Sequence, residues 1–149
     1  MEDETSTVET RPGRRGAVAV VLRAERFLVI RRSRHVVAPG AFCFPGGGIE
    51  PGESEPQAIE REFLEELGAP IRPVRRVWQS ATPWHVELAW WLVQLDPAAA
   101  LVPNPAEVES IHWLSRDEMA AEANMLASNR QFLAALAAGH IVLDSEQSL

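Results

Sequence analysis

Residues 46–69 read GGGIEPGESEPQAIEREFLEELGA, a glycine-rich run that passes directly into a helix with a marked beginning and end. Ser54 is a favourable N-cap, Pro56 suits the first turn, and Gln57 completes an S-x-x-Q capping box. Gly68 supplies a left-handed C-terminal stop, with Pro70 just beyond it. Between these ends Ile59, Phe63 and Leu67 recur every four residues and give the helix one apolar stripe. The preceding stretch, PGGGIEPGE, is so rich in glycine and proline that neither helix nor regular strand is expected, and it implies close backbone approach by another group.

Working outward, Gly16 to Ala24 and FLVIRR after Glu25-Arg26 read as a β-hairpin. Ser33 to Ala41 is expected to be a loop leading to the short apolar segment Phe42 to Phe44. Beyond the helix, Ile71 to Ala81 and Trp84 to Leu95 are β-rich. Pro97 to Pro105 reads as a loop and Ile111 to Leu114 as a short strand. Helix is expected from about Asp117 and again from about Asn129. Residues 1–15 are polar and read as a disordered tail, and 16–149 as a single domain.

Composition narrows the chemistry. The chain has 149 residues with 46% hydrophobic and 23% charged content, which suits an ordinary globule. Its formal net charge of -7 argues against nucleic acid as a partner, because phosphate backbones are met by basic surfaces. All 14 basic residues are arginine, which excludes a phosphate-loop lysine, a Schiff-base lysine and a lysine general base. Cys43 is the one cysteine and implies a reducing compartment. No apolar run approaches a membrane span and no signal peptide is recognisable, so a cytoplasmic protein is expected.

Seven glutamates and one basic residue, Arg61, lie between Glu50 and Glu66. On the capped helix Glu62, Glu65 and Glu66 fall at i, i+3 and i+4, which puts their carboxylates on one face where like charges repel. A solvated acidic face is the plain alternative. A hard divalent cation would resolve the repulsion, and an oxygen-only donor set suits magnesium, with manganese as the alternative, better than zinc. Magnesium commonly binds together with substrate phosphates, so the helix reads as a platform for phosphate chemistry.

The same residues fit G-x5-E-x7-R-E-U-x-E-E-x-G-U, where U is a bulky apolar residue, through Gly47, Glu53, Arg61, Glu62, Phe63, Glu65, Glu66, Gly68 and Ala69. This resembles the signature of the Nudix hydrolases, with Ala69 smaller than the pattern prefers. The resemblance implies an α/β fold, an α/β/α sandwich around a mixed β-sheet. It implies metal binding by Glu62, Glu65 and Glu66 with help from the carbonyl of Gly46, and orientation of the helix by pairing of Arg61 with Glu53. It also implies a magnesium-dependent pyrophosphohydrolase acting on a small nucleotide. Nucleoside triphosphates, an oxidised purine deoxynucleotide among them, cleaved to monophosphate and pyrophosphate are the leading expectation. Nucleotide sugars or dinucleotides are the alternative, and a non-catalytic ligand-binding module is the rival class.

Outside that signature the chain is similar to the MutT-like branch. Glu107, six residues before Trp113, matches a loop glutamate that serves as a further metal ligand or base, with Glu109 as its rival. Asn129 resembles an asparagine that contacts the purine edge, although it also suits a helix N-cap. Arg31 and Arg32 resemble paired arginines of which one faces substrate; alternation lets only one do so, and Arg32 is the choice. Trp90 and Trp91 must likewise point to opposite faces and are expected to pack. Gly48 replaces a lysine of MutT itself, which argues against a strict MutT preference. The four histidines lack metal-ligand spacing. Oligomeric state is not legible.

Overall fold

A computed structural model describes residues 14–143. In chain order these form β1 (Arg14–Val20), β2 (Leu22–Arg23), β3 (Arg26–Arg32), β4 (Phe42–Cys43), β5 (Gly46–Gly48), α1 (Glu55–Leu67), β6 (Arg72–Ala81), β7 (Val86–Gln94), β8 (Val108–Leu114), α2 (Arg116–Ala121) and α3 (Ala127–Ala137). One sheet has the order β5-β1-β7-β6 and is mixed, because β1 and β7 run parallel while the other pairs are antiparallel. In the second sheet β2, β4 and β8 all pair with β3 antiparallel.

The alternation of side chains along the strands fixes what lies on each face. Ala17, Ala19, Val21, Leu28, Ile30 and Val93 join Ile59, Phe63 and Leu67 of α1 in one core. Their neighbours in sequence, Val20, Phe27, Val29 and Leu92, join Met119 of α2 and Phe132 of α3 in the other. The strands therefore lie between α1 and the α2–α3 pair, the layered α/β/α arrangement expected from the sequence. Trp90 and Trp91 obey the same rule: Trp90 is fully buried in the second core, and Trp91 packs against the first.

Helix α1 starts and stops where its sequence says. The Ser54 hydroxyl accepts from the Gln57 N–H at 3.2 Å, and the Gln57 side chain accepts from the Ser54 N–H at 2.9 Å. Gly68 adopts φ 68° and donates its N–H to the Leu64 carbonyl. The glycine run departs from expectation. Gly46–Gly48 is a strand, paired with β1 through Gly16↔Gly48, Ala17↔Gly47 and Val18↔Gly46. Glycine has no side chain to produce an alternation pattern, yet its N–H and C=O complete a ladder at a sheet edge. The space is tight, since a Cβ on Gly46 would clash with the Ala17 carbonyl oxygen.

Two smaller differences concern boundaries. Strand β1 already includes Arg14 and Arg15, two residues that read as tail, because both pair with β7 at Val86 and Glu87. The remainder of that tail, residues 1–13, lies outside the described residues, as do 144–149. Strand β8 begins at Val108 rather than Ile111, since pairing with β3 extends to Arg32↔Val108 across a bulge. Among the described residues no helix is long and apolar enough to cross a membrane.

The second core is aromatic. Phe132 meets Phe27, Phe44, Trp78 and Trp90 with ring centroids 5.0 to 6.1 Å apart. Removing that ring leaves a large cavity that its rigid aromatic neighbours have little freedom to fill. Phe132→Ala is expected to destabilise the fold by about 3 to 5 kcal/mol, read as a lower urea midpoint with an unchanged denaturant slope; a loss under about 1 kcal/mol would contradict this packing.

Candidate active site

Arg61 ties the glycine-rich loop to α1. Its Nε donates to Glu53 Oε2 at 2.6 Å and its Nη2 to Glu53 Oε1 at 3.0 Å, a two-pronged pair. The same guanidinium donates to the Gly48 carbonyl at 2.8 Å and to Glu62 Oε2 at 3.0 Å. These bonds hold the Glu53 carboxyl down at about 2, the Arg61 contribution being the largest and the Glu50 N–H the next. Arg61 in turn is held further in its charged form, first by Glu53. The pairing expected from the sequence is thus present, with Glu62 and Gly48 added to it.

The acidic face divides. Glu66 is 6% exposed and accepts the Gly46 N–H at 3.1 Å, whereas Glu65 has a half-exposed side chain 3.5 Å from Arg61. Glu62, Glu66 and Glu107 each bring an oxygen within 4.8 Å of the others. Gly47 makes room for this, since a Cβ there would overlap the Glu62 carboxyl group. Burial first, and then the Glu62 charge, push the Glu66 carboxyl up to about 8. Burial raises Glu62 as well, against the pull of Arg61.

Glu107 reaches the cluster through Asn104, a residue that carries no signal in the sequence. The Asn104 N–H donates to the Glu66 carbonyl at 2.9 Å and its side chain to the Glu65 carbonyl at 3.3 Å, which fastens this loop to the end of α1. The Glu107 N–H then donates to the Asn104 carbonyl, and the Ser33 N–H to the Glu107 carbonyl. Glu109, the rival, lies 3.8 Å from Arg31 instead.

Three crowded carboxylates are what a hard divalent cation relieves, and the donor set is all oxygen. Glu62, Glu66 and Glu107 fit such an ion. Gly46, expected through its carbonyl, meets Glu66 through its N–H. No histidine joins this group among the described residues.

Beside it lies a cavity of about 340 Å³ lined by Arg32, Cys43, Phe44, Gly46, Trp84 and Asn129 among others. Arg32 is on its wall; Arg31 turns away, its Nε on the Gly40 carbonyl and its guanidinium over Phe42. Arg32 is anchored by the Val37 carbonyl at 2.6 Å. Asn129 is not the cap of the last helix. Leu126 occupies that position without a side-chain bond, and Asn129 sits in the first turn, 2% exposed. Its Oδ1 accepts the Phe44 N–H at 3.3 Å, while its Nδ2 has no protein partner. The asparagine is thus drawn inward toward β4 rather than to its own helix end. Trp84 is a lining residue that sequence reasoning misses, because a tryptophan in the turn T-P-W-H carries no periodic signal.

The pattern defines a class: an α/β/α protein whose glycine-rich strand and following helix gather carboxylates beside a ligand-sized cavity. The NUDIX domain model matches residues 13–136, and the chain belongs to that family. It is 31% identical over 104 residues to the NAD-capped RNA hydrolase NudC of Stutzerimonas stutzeri, a match covering 70% of this chain and 37% of that protein. The protein of the same name from Chromobacterium violaceum is 28% identical over 69% of this chain and 38% of its own length. The chain therefore spans well under half the length of these relatives. The fold is also that of a MutT protein from Methanosarcina mazei, with TM-score 0.74, 21% identity and coverage of 87% and 96% of the two chains. A MutT NUDIX hydrolase from Burkholderia pseudomallei gives TM-score 0.71 at 23% identity, over 81% and 95%.

The raised Glu66 carboxyl makes a pH test. A folded value of about 8 exceeds the ordinary 4.5, so the folded state favours the neutral acid. Its stabilising contribution is complete below about pH 4.5 and is lost as pH rises through about 8. With chelator present, Glu66→Gln should melt close to wild type near about pH 5 and above it near about pH 9, because glutamine stays neutral throughout. A difference in melting temperature independent of pH would contradict the burial of this charge.

Proposed function

We propose that the chain hydrolyses the phosphoric anhydride bond of a nucleoside diphosphate joined to a further group, with magnesium, or manganese in its place, as cofactor. The observation that carries this reading is the convergence of Glu62, Glu66 and Glu107 within 4.8 Å next to the Asn129 cavity. The sequence alone puts a nucleoside triphosphate first. The names of the curated relatives favour the alternative, since NAD is a dinucleotide whose two halves share a diphosphate. Those names also keep RNA bearing such a linkage as a substrate to test, against the net charge of -7.

A bound divalent cation would supply positive charge against the phosphate oxygens. The chain supplies the rest. Arg61 holds Glu62 in place, and the Gly46 N–H orients Glu66. Arg32, with its Nε fixed on Val37, offers its remaining donors to a phosphate. Water attacks phosphorus, the P–O bond to the departing phosphate breaks with its electron pair, and a carboxylate of the cluster accepts the water proton.

The cavity also has a polarity. With its Oδ1 engaged by Phe44, Asn129 presents only N–H donors, which match an acceptor such as a keto oxygen or ring nitrogen. Asn129→Ala should lower kcat/KM about ten-fold or more for substrates whose base carries such an acceptor, with little loss for a diphosphate that carries no base. An equal loss with and without a base would remove this role.

Hydrolysis itself is tested on a panel of dinucleotides, nucleotide sugars and nucleoside triphosphates with magnesium, followed by chromatography of the products. Turnover should vanish with chelator. Glu66→Gln should lower kcat by orders of magnitude, and Glu65→Gln by much less, since Glu65 stands outside the cluster. Full turnover by Glu66→Gln would end the proposal.

A further inference from the structure

Five tryptophans are present, and four are packed. Trp78 and Trp90 belong to the aromatic core, Trp91 donates its Nε1–H to Glu55 at 2.8 Å, and Trp113 lies under the Arg23 guanidinium. Trp84 is 70% exposed and is the one aromatic among the large exposed apolar side chains of the described residues. It sits in the β6–β7 hairpin turn, and it lines the same cavity as Asn129.

The turn that carries it is well tied. Thr82 Oγ1 accepts the N–H groups of Trp84 and Val86, each at 3.2 Å. The Thr82 N–H donates to the Val86 carbonyl at 2.9 Å and the His85 N–H to the Thr82 carbonyl at 3.0 Å, with His85 at φ 64°. An exposed indole on so constrained a turn loses little further backbone freedom when a ligand covers it. The unpartnered Nδ2 of Asn129, a residue 2% exposed, is a second and independent indication of a ligand in the same cavity. A buried donor with no protein acceptor needs a polar edge, and an exposed indole beside it needs a planar face; a heteroaromatic base has both.

We infer that Trp84 is a specificity-determining residue, whose indole stacks on the face of the nucleobase while Asn129 meets its edge. This rests on the proposed base pocket and deepens it. The planar base, rather than the sugar or other group beyond the diphosphate, is then the part of the substrate held in the cavity. Stacking tolerates many bases, because every base has a π face, so Trp84 selects for the planar face and Asn129 for an acceptor on the edge.

The test is equilibrium binding to the full chain in chelator, which separates recognition from turnover. The probe is guanosine 5′-monophosphate, with ribose 5-phosphate as the control that lacks a base. Trp84→Ala should weaken binding of the nucleotide about ten-fold or more and leave the control unchanged. Trp84→Phe should restore most of the affinity and Trp84→Leu little of it, because leucine keeps apolar area without a π face. Folding is not at stake at so exposed a position. Unchanged nucleotide affinity in Trp84→Ala, while Asn129→Ala binds more weakly, would overturn the stacking role and leave the base pocket standing. Failure of the wild-type chain to prefer the nucleotide over ribose 5-phosphate would overturn both readings.

Discussion

Arg61 holds together parts that would otherwise separate. Its guanidinium grips both oxygens of Glu53 on the loop, reaches the carbonyl of Gly48 in β5, and braces Glu62 from within its own helix. Without it the glutamates of α1 would repel one another and the loop around Glu53 would lose its main tie to the helix. One cation in a ring of carboxylates leaves the site negative, and that residue of charge would suit a second, divalent cation. Lysine would serve badly here, since a single ammonium lacks the planar fork that spans Glu53 while reaching two further acceptors.

The absence of side chains at Gly46 and Gly47 is as formative as any contact. A Cβ at Gly46 would press on the Ala17 carbonyl oxygen, and one at Gly47 would occupy the space of the Glu62 carboxylate. The first lets β5 pair closely with β1, and the second lets the helix approach β5. Together they allow the Gly46 N–H to reach Glu66 across 3.1 Å. The buried carboxylate is therefore positioned by backbone, which has no rotamers to lose.

Local rules make α1 legible in the sequence. Its capping box, its apolar stripe and its terminal glycine all act within one helix, so residue order states them directly. Features decided by a distant partner are not stated that way. Asn129 resembles a cap because asparagine favours that place, yet the Phe44 N–H on another segment claims it instead. Gly46–Gly48 resembles a loop because glycine erases the alternation by which strands are read, and β1 pairs with it regardless. In EVESIHW only the spacing to Trp113 favours Glu107 over Glu109; in the structure the loop fastened by Asn104 separates them, turning one to Glu66 and the other to Arg31. Trp84 leaves no trace in periodicity, being a turn residue whose side chain is set out toward a cavity rather than into a core.

The site joins two opposite electrostatic demands through shared neighbours. At one end carboxylates crowd until they favour a cation or a proton; at the other a buried amide offers donors with nothing to receive them. Gly46 and Arg32 stand between, Gly46 with its N–H on Glu66 and Arg32 on the cavity wall with a favourable charge toward the same residue. A nucleotide diphosphate is polar in the matching order, with anionic phosphates at one end and a planar base rich in acceptors at the other. In the proposed function a bound cation would let the anionic end approach carboxylates that otherwise repel it, while the amide would fix which way round the molecule lies. Neither half would orient a substrate alone, because a metal cluster would take any phosphate and an amide N–H donates to any carbonyl. Their fixed separation, set by β4, β5 and the first turn of α3, would turn two weak preferences into recognition of one kind of molecule.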